Sequence, residues 1–303
     1  MWSCNPEGRV GLQDEPPDPR SPSVYDSERA VAEAAARAAA ARIRQLAGRL
    51  GAGDVRAKGV HDLVTVADEE AQRIVLAHLR EAFPDDDLLG EETAPDELAP
   101  VAGRRWVVDP IDGTTNFTHG VPPYAVSIGL QEDGVGVVGV VLEVTSGELF
   151  AGVRGEGLTV DGVPATVSET RQLDDALLAT GFPFRDYRYV DGYLATFERA
   201  IRSTRGVRRP GAASVDLAWT AAGRFDGFFE AGLSPWDVAA GVVLVEAAGG
   251  RVSPLPASGD PVYGGGLVAS NGRLHDALLN LTGPLADAYS AARMGSGDAD
   301  GGI

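Results

Sequence analysis

The sequence is poor in positive charge. Its 303 residues include 26 Lys and Arg against 44 Asp and Glu, which gives a net charge of −18, and Lys58 is the only lysine. A protein that binds nucleic acid by neutralising phosphates is expected to carry clusters of cationic side chains. The composition therefore argues against direct binding of nucleic acid. It also implies that any phosphate bound here needs another source of positive charge.

Cysteine and long apolar runs are scarce too. Cys4 is the only cysteine, which excludes an intrachain disulfide and a cysteine-rich zinc site. There is no run of about 18 apolar residues, and the polar, proline-rich start of the chain lacks the apolar core of a signal peptide. With 44% hydrophobic and 23% charged residues, the sequence predicts a soluble, cytoplasmic globular protein that does not associate with membranes.

The pattern along the chain predicts one large domain between two irregular ends. Residues 1–22 carry five prolines among charged residues, which predicts a disordered extension. Residues 286–303, which end in a glycine-rich stretch, are expected to form a flexible tail. The domain between them, residues 23–285, is divided at about residue 170 into an N-terminal half and a C-terminal α/β half.

Apolar periodicity and turn residues predict a mixture of helices and strands. Helices are expected at 25–50, 69–83, 190–203, 212–222, 235–248 and 273–281. Strands are expected at 104–109, 124–131, 135–143, 148–153, 225–231, 251–253 and 266–269. Because strands cluster in the middle and alternate with helices afterwards, the pattern favours layered sheets and helices.

The strongest chemical signal is the string DPIDGTTNF at residues 109–117, which follows an apolar strand. A proline-braced turn can aim Asp109, the carbonyl of Ile111 and Asp112 at one place, and hard divalent cations prefer such oxygen ligands. A helix that begins at Gly113 would add free backbone N–H groups for an anion. The same residues also fit an ordinary strand, turn and capped helix, so this segment alone leaves both interpretations open.

Three other acidic positions have ordinary local explanations. Glu91 lies in a solvated acidic turn, Asp68 resembles a helix N-cap, and Asp237 fits a capping box that begins at Ser234. Each of these acids is nevertheless able to ligate a cation. A single site, lined by carboxylates and holding several metal ions beside a phosphate, explains all four segments together.

Three segments carry a resemblance to a known family: GEE (90–92), DPIDGTTNF (109–117) and WDVAAG (236–241). In this order and at these separations they resemble the signatures of the inositol monophosphatase family, which belongs to a superfamily of metal-dependent, lithium-sensitive phosphatases. The resemblance covers about 25–281. It implies an α+β fold, a layered αβαβα sandwich of the inositol monophosphatase / fructose-1,6-bisphosphatase type, and a homodimer.

The resemblance implies a set of ligands for two or three Mg²⁺ ions in each site. Glu91, Asp109 and the carbonyl of Ile111 would hold the first ion. Asp109, Asp112 and Asp237 would hold the second, and Glu91 would also serve a weaker third ion.

The resemblance also assigns catalytic and substrate-binding roles. Thr114 and Asp68 match residues that orient and activate the attacking water, and Glu91 belongs to the same catalytic group. Lys58 matches a lysine near the metals and the phosphate.

Gly113 and Thr114 match positions where backbone and side chain receive the phosphate, and Asp112 and Asp237 belong to the same substrate-binding set. Ala213 and Glu230 match positions that contact substrate hydroxyl groups.

Substrate choice stays open in the sequence. Ala212 stands where the family commonly has Ser or Thr, and Ser214 stands where Ala is usual. Specificity is expected to lie in the loop 180–193 and around Arg208, Arg209 and Glu230.

The predicted function is hydrolysis of phosphate monoesters with Mg²⁺, and the preferred assignment is an inositol-1-monophosphatase. The predicted mechanism is direct attack of metal-activated water on a small phosphorylated polyol or sugar. Alternatives within the family are histidinol-phosphatase, fructose-1,6-bisphosphatase and 3'-phosphoadenosine-5'-phosphate phosphatase. A regulatory binding protein in transcription complexes is the alternative of another class. The four histidines are scattered, and surface or structural roles are expected for them: His61, His78, His119 and His275.

Overall fold

The computed structural model describes residues 24–49, 55–59, 62–95 and 97–294. Its helices are α1 (Asp26–Leu46), α2 (Val66–Ala82), α3 (Thr114–His119), α4 (Val190–Ser203), α5 (Ala213–Ala221), α6 (Pro235–Ala247), α7 (His275–Leu281) and α8 (Gly283–Met294). Its strands are β1 (Val55–Gly59), β2 (Asp62–Thr65), β3 (Asp87–Gly90), β4 (Arg104–Asp112), β5 (Ala125–Glu132), β6 (Val135–Glu143), β7 (Leu149–Val153), β8 (Gly157–Val160), β9 (Val163–Ala165), β10 (Leu177–Thr180), β11 (Gly206–Arg208), β12 (Gly227–Ala231), β13 (Arg251–Pro254) and β14 (Gly266–Ser270).

Two large sheets and three groups of helices form five layers. The first sheet has seven strands in the order β3-β4-β5-β6-β7-β8-β9, and the second has five in the order β11-β10-β12-β14-β13. Helices α1 and α2 cover one face of the first sheet, α5 and α6 lie between the sheets, and α4, α7 and α8 cover the second sheet. The expected αβαβα sandwich is therefore confirmed.

Strands in the middle of both sheets are apolar on both faces because helices cover both sides. In β4, Trp106 and Val108 pack toward α1 and α2, while Val107 packs toward α5 and α6. In β12, Phe228 and Phe229 face opposite layers in the same way. Side chains alternate across a strand, so a strand covered on both faces reads as an unbroken apolar run.

Helix α1 packs through an alanine-rich face. Its buried residues recur every three or four positions, as in an amphipathic helix with one face toward the core. The apolar ones are Ala32, Ala35, Ala36, Ala39, Ala40 and Ile43. Although α1 has 21 residues, no helix of the described residues is long and apolar enough to cross a membrane.

A row of glycines lets α6 lie close to the first sheet. Gly129, Gly139 and Gly152 are direct cross-strand partners on β5, β6 and β7. A Cβ atom at Gly129 would lie 2.9 Å from the backbone nitrogen of Ala240, and one at Gly139 would meet the Ala240 carbonyl oxygen. Side chains at these two positions would push α6 away from the sheet, so the glycines determine the height of the helix above it.

The C-terminal end differs from the prediction. The tail expected from residue 286 is wrong as far as Met294, because α8 continues to that residue and packs against α4. Leu285 and Tyr289 are buried there, and the Leu285 backbone N–H donates to the Thr196 hydroxyl at 3.1 Å. The predicted extension 1–22 and residues 295–303 lie outside the described residues.

His275 confirms the structural role expected for a histidine of this chain. The ring is fully buried and lies between two serine hydroxyls, with Nε2 2.8 Å from Ser253 Oγ and Nδ1 2.9 Å from Ser270 Oγ. Burial, followed by the charge of Arg251, lowers the pKa of His275 to about 4. The neutral ring is therefore the form that the folded protein holds.

This burial predicts a loss of stability in acid. The unfolded chain takes up a proton on His275 below its ordinary pKa of 6.5, whereas the folded protein does so only near pH 4. Between pH 7.5 and 5 the residue should therefore cost the folded state about 2 kcal/mol. Urea unfolding of the wild type and of His275→Gln at both pH values measures this difference. A stability gap between the two proteins that is the same at pH 7.5 and pH 5 would contradict it.

The glycine row predicts a second, graded effect on stability. Gly139→Ala should destabilise the protein by about 1–3 kcal/mol, because the new methyl group meets backbone that cannot move without shifting α6. Gly152→Ala is the matched control, since its methyl group would lie 3.1 Å from the end of the flexible Leu244 side chain. Equal losses in urea unfolding for the two variants would show that the approach of α6 is not the constraint.

Candidate metal and phosphate site

The end of β4 brings two acids together that a regular strand would separate. Residues three apart in a strand point to opposite faces. In β4, however, the pairing with β5 shifts register between Asp109, opposite Ser127, and Asp112, opposite Ala125. Pro110 lies inside this irregular segment and has no N–H for the ladder. The distortion allows both carboxylates to serve one site.

Asp237 reaches the same place from the first turn of α6. Ser234 and Asp237 form a capping box, in which Asp237 Oδ2 accepts the Ser234 backbone N–H at 2.7 Å. One carboxylate oxygen from each of Asp109, Asp112 and Asp237 lies within 4.8 Å of the other two. The residue is thus both a helix cap and a member of an acidic cluster, as the sequence allowed.

Asp109 and Asp112 are held in a place that disfavours their charges. Burial, followed by the negative charges of Glu91, Asp112 and Asp237, raises the pKa of Asp109 well above its usual range. Burial raises the pKa of Asp112 to about 7, and the negative charge of Asp237 is the second cause, although hydrogen bonds from Ser214 oppose the change. Carboxylates so close together need a cation between them to be ionised together. A set made of oxygen ligands alone fits Mg²⁺.

Glu91 is delivered to this edge by strand pairing. It follows β3, which runs parallel to β4 with Gly90 opposite Val108. The carboxyl ends of the two strands therefore meet at one edge of the sheet. Glu91 lies outside the tight group of three carboxylates, but it lines the same cavity and its charge acts on Asp109.

Buried Asp68 and half-buried Thr114 form a hydrogen-bonded pair beside the acids. Asp68 Oδ2 accepts the Thr65 backbone N–H at 2.7 Å, and Thr114 Oγ1 lies 3.1 Å from Asp68 Oδ1 and 3.0 Å from the Ile111 carbonyl oxygen. A hydroxyl has a single proton to donate. When the Ile111 carbonyl binds a cation, Asp68 is the remaining acceptor. Burial raises the pKa of Asp68 to about 6.

Gly113 forms the bend between the acids and α3. Its φ of +93° is costly for any residue with a Cβ atom, and a Cβ there would lie 3.1 Å from the Pro123 carbonyl oxygen. Helix α3 begins at the next residue, Thr114, with Gly113 as its N-cap. The predicted sequence of strand, glycine turn and helix is thus present, and its short helix starts beside the carboxylates.

One cavity of about 620 Å³ gathers most of the predicted site residues. It is lined, among others, by Glu91, Asp109, Ile111, Asp112, Gly113, Thr114, Ala213, Glu230 and Asp237. Asp68 is connected to the cavity through Thr114. The backbone of Lys58 belongs to β1, but its side chain lies outside the described part of the chain, so its predicted role stays a prediction.

Two functional features were not recognised from the sequence. Ser214, noted only as a departure from the family pattern, supports Asp112 Oδ2 through its backbone N–H at 2.7 Å and its hydroxyl at 2.6 Å. The second feature is Asp216, which lies two residues after Ser214 in α5 and lines the cavity. Asp216 is the only charged residue in the string ASVDLAWTA, and this was the available signal for it.

Comparisons with known proteins agree with this geometry. The family described as "Inositol monophosphatase family" matches residues 25–284. "Nus factor SuhB" of Pseudomonas aeruginosa is 44% identical over 84% of this chain and 95% of its own length. "Inositol-1-monophosphatase" of Caulobacter vibrioides is 41% identical over 81% of this chain and 96% of its own.

Solved structures show the same fold. The extragenic suppressor protein suhB from Bartonella henselae matches with a TM-score of 0.77 and 35% identity, over 86% of this chain and 98% of that one. Inositol monophosphatase from Anabaena matches with a TM-score of 0.74 and 36% identity, over 88% of this chain and 97% of that one.

The acidic cluster predicts a divalent-cation site that depends on Asp237. Asp237→Asn removes one of three clustered charges and should weaken Mg²⁺ or Mn²⁺ binding by about tenfold or more. Calorimetric titration with either ion measures the affinity. Asp161→Asn is the matched control, because Asp161 lies on a surface turn with φ +50°, which asparagine tolerates. Equal affinities for the wild type and Asp237→Asn would contradict the site.

Proposed function

The chain belongs to the inositol monophosphatase family, and we propose that it is a Mg²⁺-dependent phosphate monoester hydrolase whose preferred substrate is myo-inositol 1-phosphate. The observation that carries the proposal is the cluster of Asp109, Asp112 and Asp237, whose oxygens lie within 4.8 Å of one another in a cavity large enough for a phosphorylated polyol. The family is a phosphatase family, and relatives named inositol-1-monophosphatase support the substrate.

Glu91, Asp109, the Ile111 carbonyl, Asp112 and Asp237 are the groups that would hold two or three Mg²⁺ ions. When bound, Mg²⁺ supplies positive charge that activates a water for direct attack and stabilises charge on the transferring phosphoryl group. The positive charge of the ions also explains how a protein of net charge −18 can bind a phosphate ester.

Asp68 and Thr114 are the pair that would orient the attacking water and accept its proton. With its own proton donated to Asp68 Oδ1, Thr114 Oγ1 is left to accept a hydrogen bond from water. A carboxyl with a pKa of about 6 is ionised at neutral pH and has room to receive a proton. The pair therefore orients the water and provides an acceptor, and the reaction needs no covalent phosphoenzyme.

A regulatory role is the second candidate, because several of the most similar relatives are named Nus factor SuhB. We propose that such a role, if present, accompanies hydrolysis rather than replacing it, since the carboxylate cluster is intact. Assembly as a homodimer, a cytoplasmic location and the absence of direct nucleic-acid binding stay predictions.

Kinetics on a panel of phosphate monoesters tests the proposal. We expect hydrolysis of myo-inositol 1-phosphate that requires Mg²⁺, falls with added Li⁺ and drops about 100-fold or more in Asp109→Asn. The other esters of the panel are histidinol phosphate, fructose 1,6-bisphosphate and 3'-phosphoadenosine 5'-phosphate. Strong preference for one of these would replace the inositol substrate. No hydrolysis of any ester, together with capture of transcription factors by the purified protein, would favour the regulatory role instead.

A further inference from the structure

The cavity holds a second pair of acids besides the predicted metal ligands. Asp216 of α5 is 1% exposed and its Oδ1 has no hydrogen-bond partner among the described residues. Glu230 of β12 lines the same cavity, as does Arg209. A buried carboxyl with an unsatisfied oxygen is rare in native proteins, so it needs an explanation.

Two other unpartnered buried atoms of the described residues help to define what is special about Asp216. Trp219 Nε1 lies one turn further along the same helix, and Gln131 Nε2 lies on β5. Neither residue lines the catalytic cavity. Among the described residues, Asp216 alone combines an unsatisfied buried polar atom with a place in the lining of that cavity, where a bound molecule can supply the missing partner.

Its surroundings favour a partner that carries hydroxyl groups. Burial, then the charges of Glu230 and Asp112, raise the pKa of Asp216 well above its usual range, and Arg209 opposes them. Burial raises the pKa of Glu230 to about 8, and the negative charge of Asp237 is the second cause. A protonated carboxyl donates a hydrogen bond and an ionised one accepts. Because a hydroxyl group does both, the pair matches neighbouring hydroxyls in either state.

Arg209 is held beside the pair by aromatic rings. Its guanidinium carbon lies 5.4 Å from the ring centre of Phe182 and 5.3 Å from that of Phe184, both within the range of cation–π contacts. Both rings also line the cavity. The wall thus offers two carboxyls, one cation and two apolar faces, which suits the hydroxyls and C–H edges of a polyol ring.

We propose that Asp216 is a specificity-determining residue that, together with Glu230, binds two neighbouring hydroxyl groups of the substrate, so that the site selects phosphate esters of polyols over esters without hydroxyls. This inference rests on the proposed phosphatase function. It adds a residue outside the metal cluster to the determinants of substrate choice.

The test compares two esters that differ in their hydroxyl groups. In Asp216→Leu, whose side chain neither donates nor accepts a hydrogen bond, we expect the ratio of kcat/KM for myo-inositol 1-phosphate to kcat/KM for p-nitrophenyl phosphate to fall about tenfold or more, chiefly through KM for the polyol ester. Trp219→Phe is the matched control, because it also changes an unpartnered polar atom of α5 but lies outside the cavity. Its ratio should equal that of the wild type.

A double variant sharpens the result. If both carboxyls bind the same pair of hydroxyls, the loss in Asp216→Leu combined with Glu230→Leu should be smaller than the product of the two single losses. A loss in the double variant equal to that product would overturn the shared binding. Equal losses for both esters in Asp216→Leu, or an unchanged ratio, would overturn the role of Asp216.

Measurements of stability and of inositol binding distinguish this inference from a structural role of Asp216 and from failure of the proposed phosphatase function. Removing an unsatisfied carboxyl should not lower the urea midpoint of Asp216→Asn or Asp216→Leu, whereas a structural role would lower both. If the wild type hydrolyses neither ester, the proposed function fails. Calorimetric binding of free myo-inositol in the presence of Mg²⁺ then tests Asp216 by itself, because the inference expects weaker binding by Asp216→Leu and equal binding would overturn it.

Discussion

The close approach of α6 to the seven-stranded sheet is the constraint on which the site depends. Asp237 is in the first turn of this helix, while Asp109 and Asp112 end β4, so the height of α6 above the sheet decides whether the three carboxylates meet. Glycines 129 and 139 leave room for the backbone at Ala240. Tight packing thus holds together acids that would otherwise repel one another and move apart.

The cavity holds two chemically different groups of residues. The clustered acids fit hard cations and through them a phosphoryl group. Asp216, Glu230 and Arg209, together with aromatic rings, suit the remainder of an ester. Each group draws on a strand and on a helix between the sheets, so the fold brings both groups into one cavity.

Local signals predicted most of the long elements and missed the short ones. Helix α4 occurs at the predicted residues, α5 is one residue shorter than predicted at each end, and α6 ends one residue earlier than predicted. The signal for α6 lies at its ends, with Ser234 and Pro235 at the start and Gly249 after the last turn, because its apolar residues surround the helix. Strands β8 and β9 have four and three residues and too few positions to show alternation. Helix α8 was missed because its sequence resembles a small-residue tail, and it is stabilised by packing on α4.

The sequence by itself determined the chemistry of the metal site. Nearly all of the predicted ligands lie in short motifs, where the identity and spacing of oxygen-bearing residues carry the information. Only the tertiary structure decided which groups surround them. Ser214 supports Asp112 across 102 positions of the chain, and Asp216 faces the cavity because α5 packs between the two sheets. Contacts between residues so far apart depend on how layers pack, which no local pattern encodes.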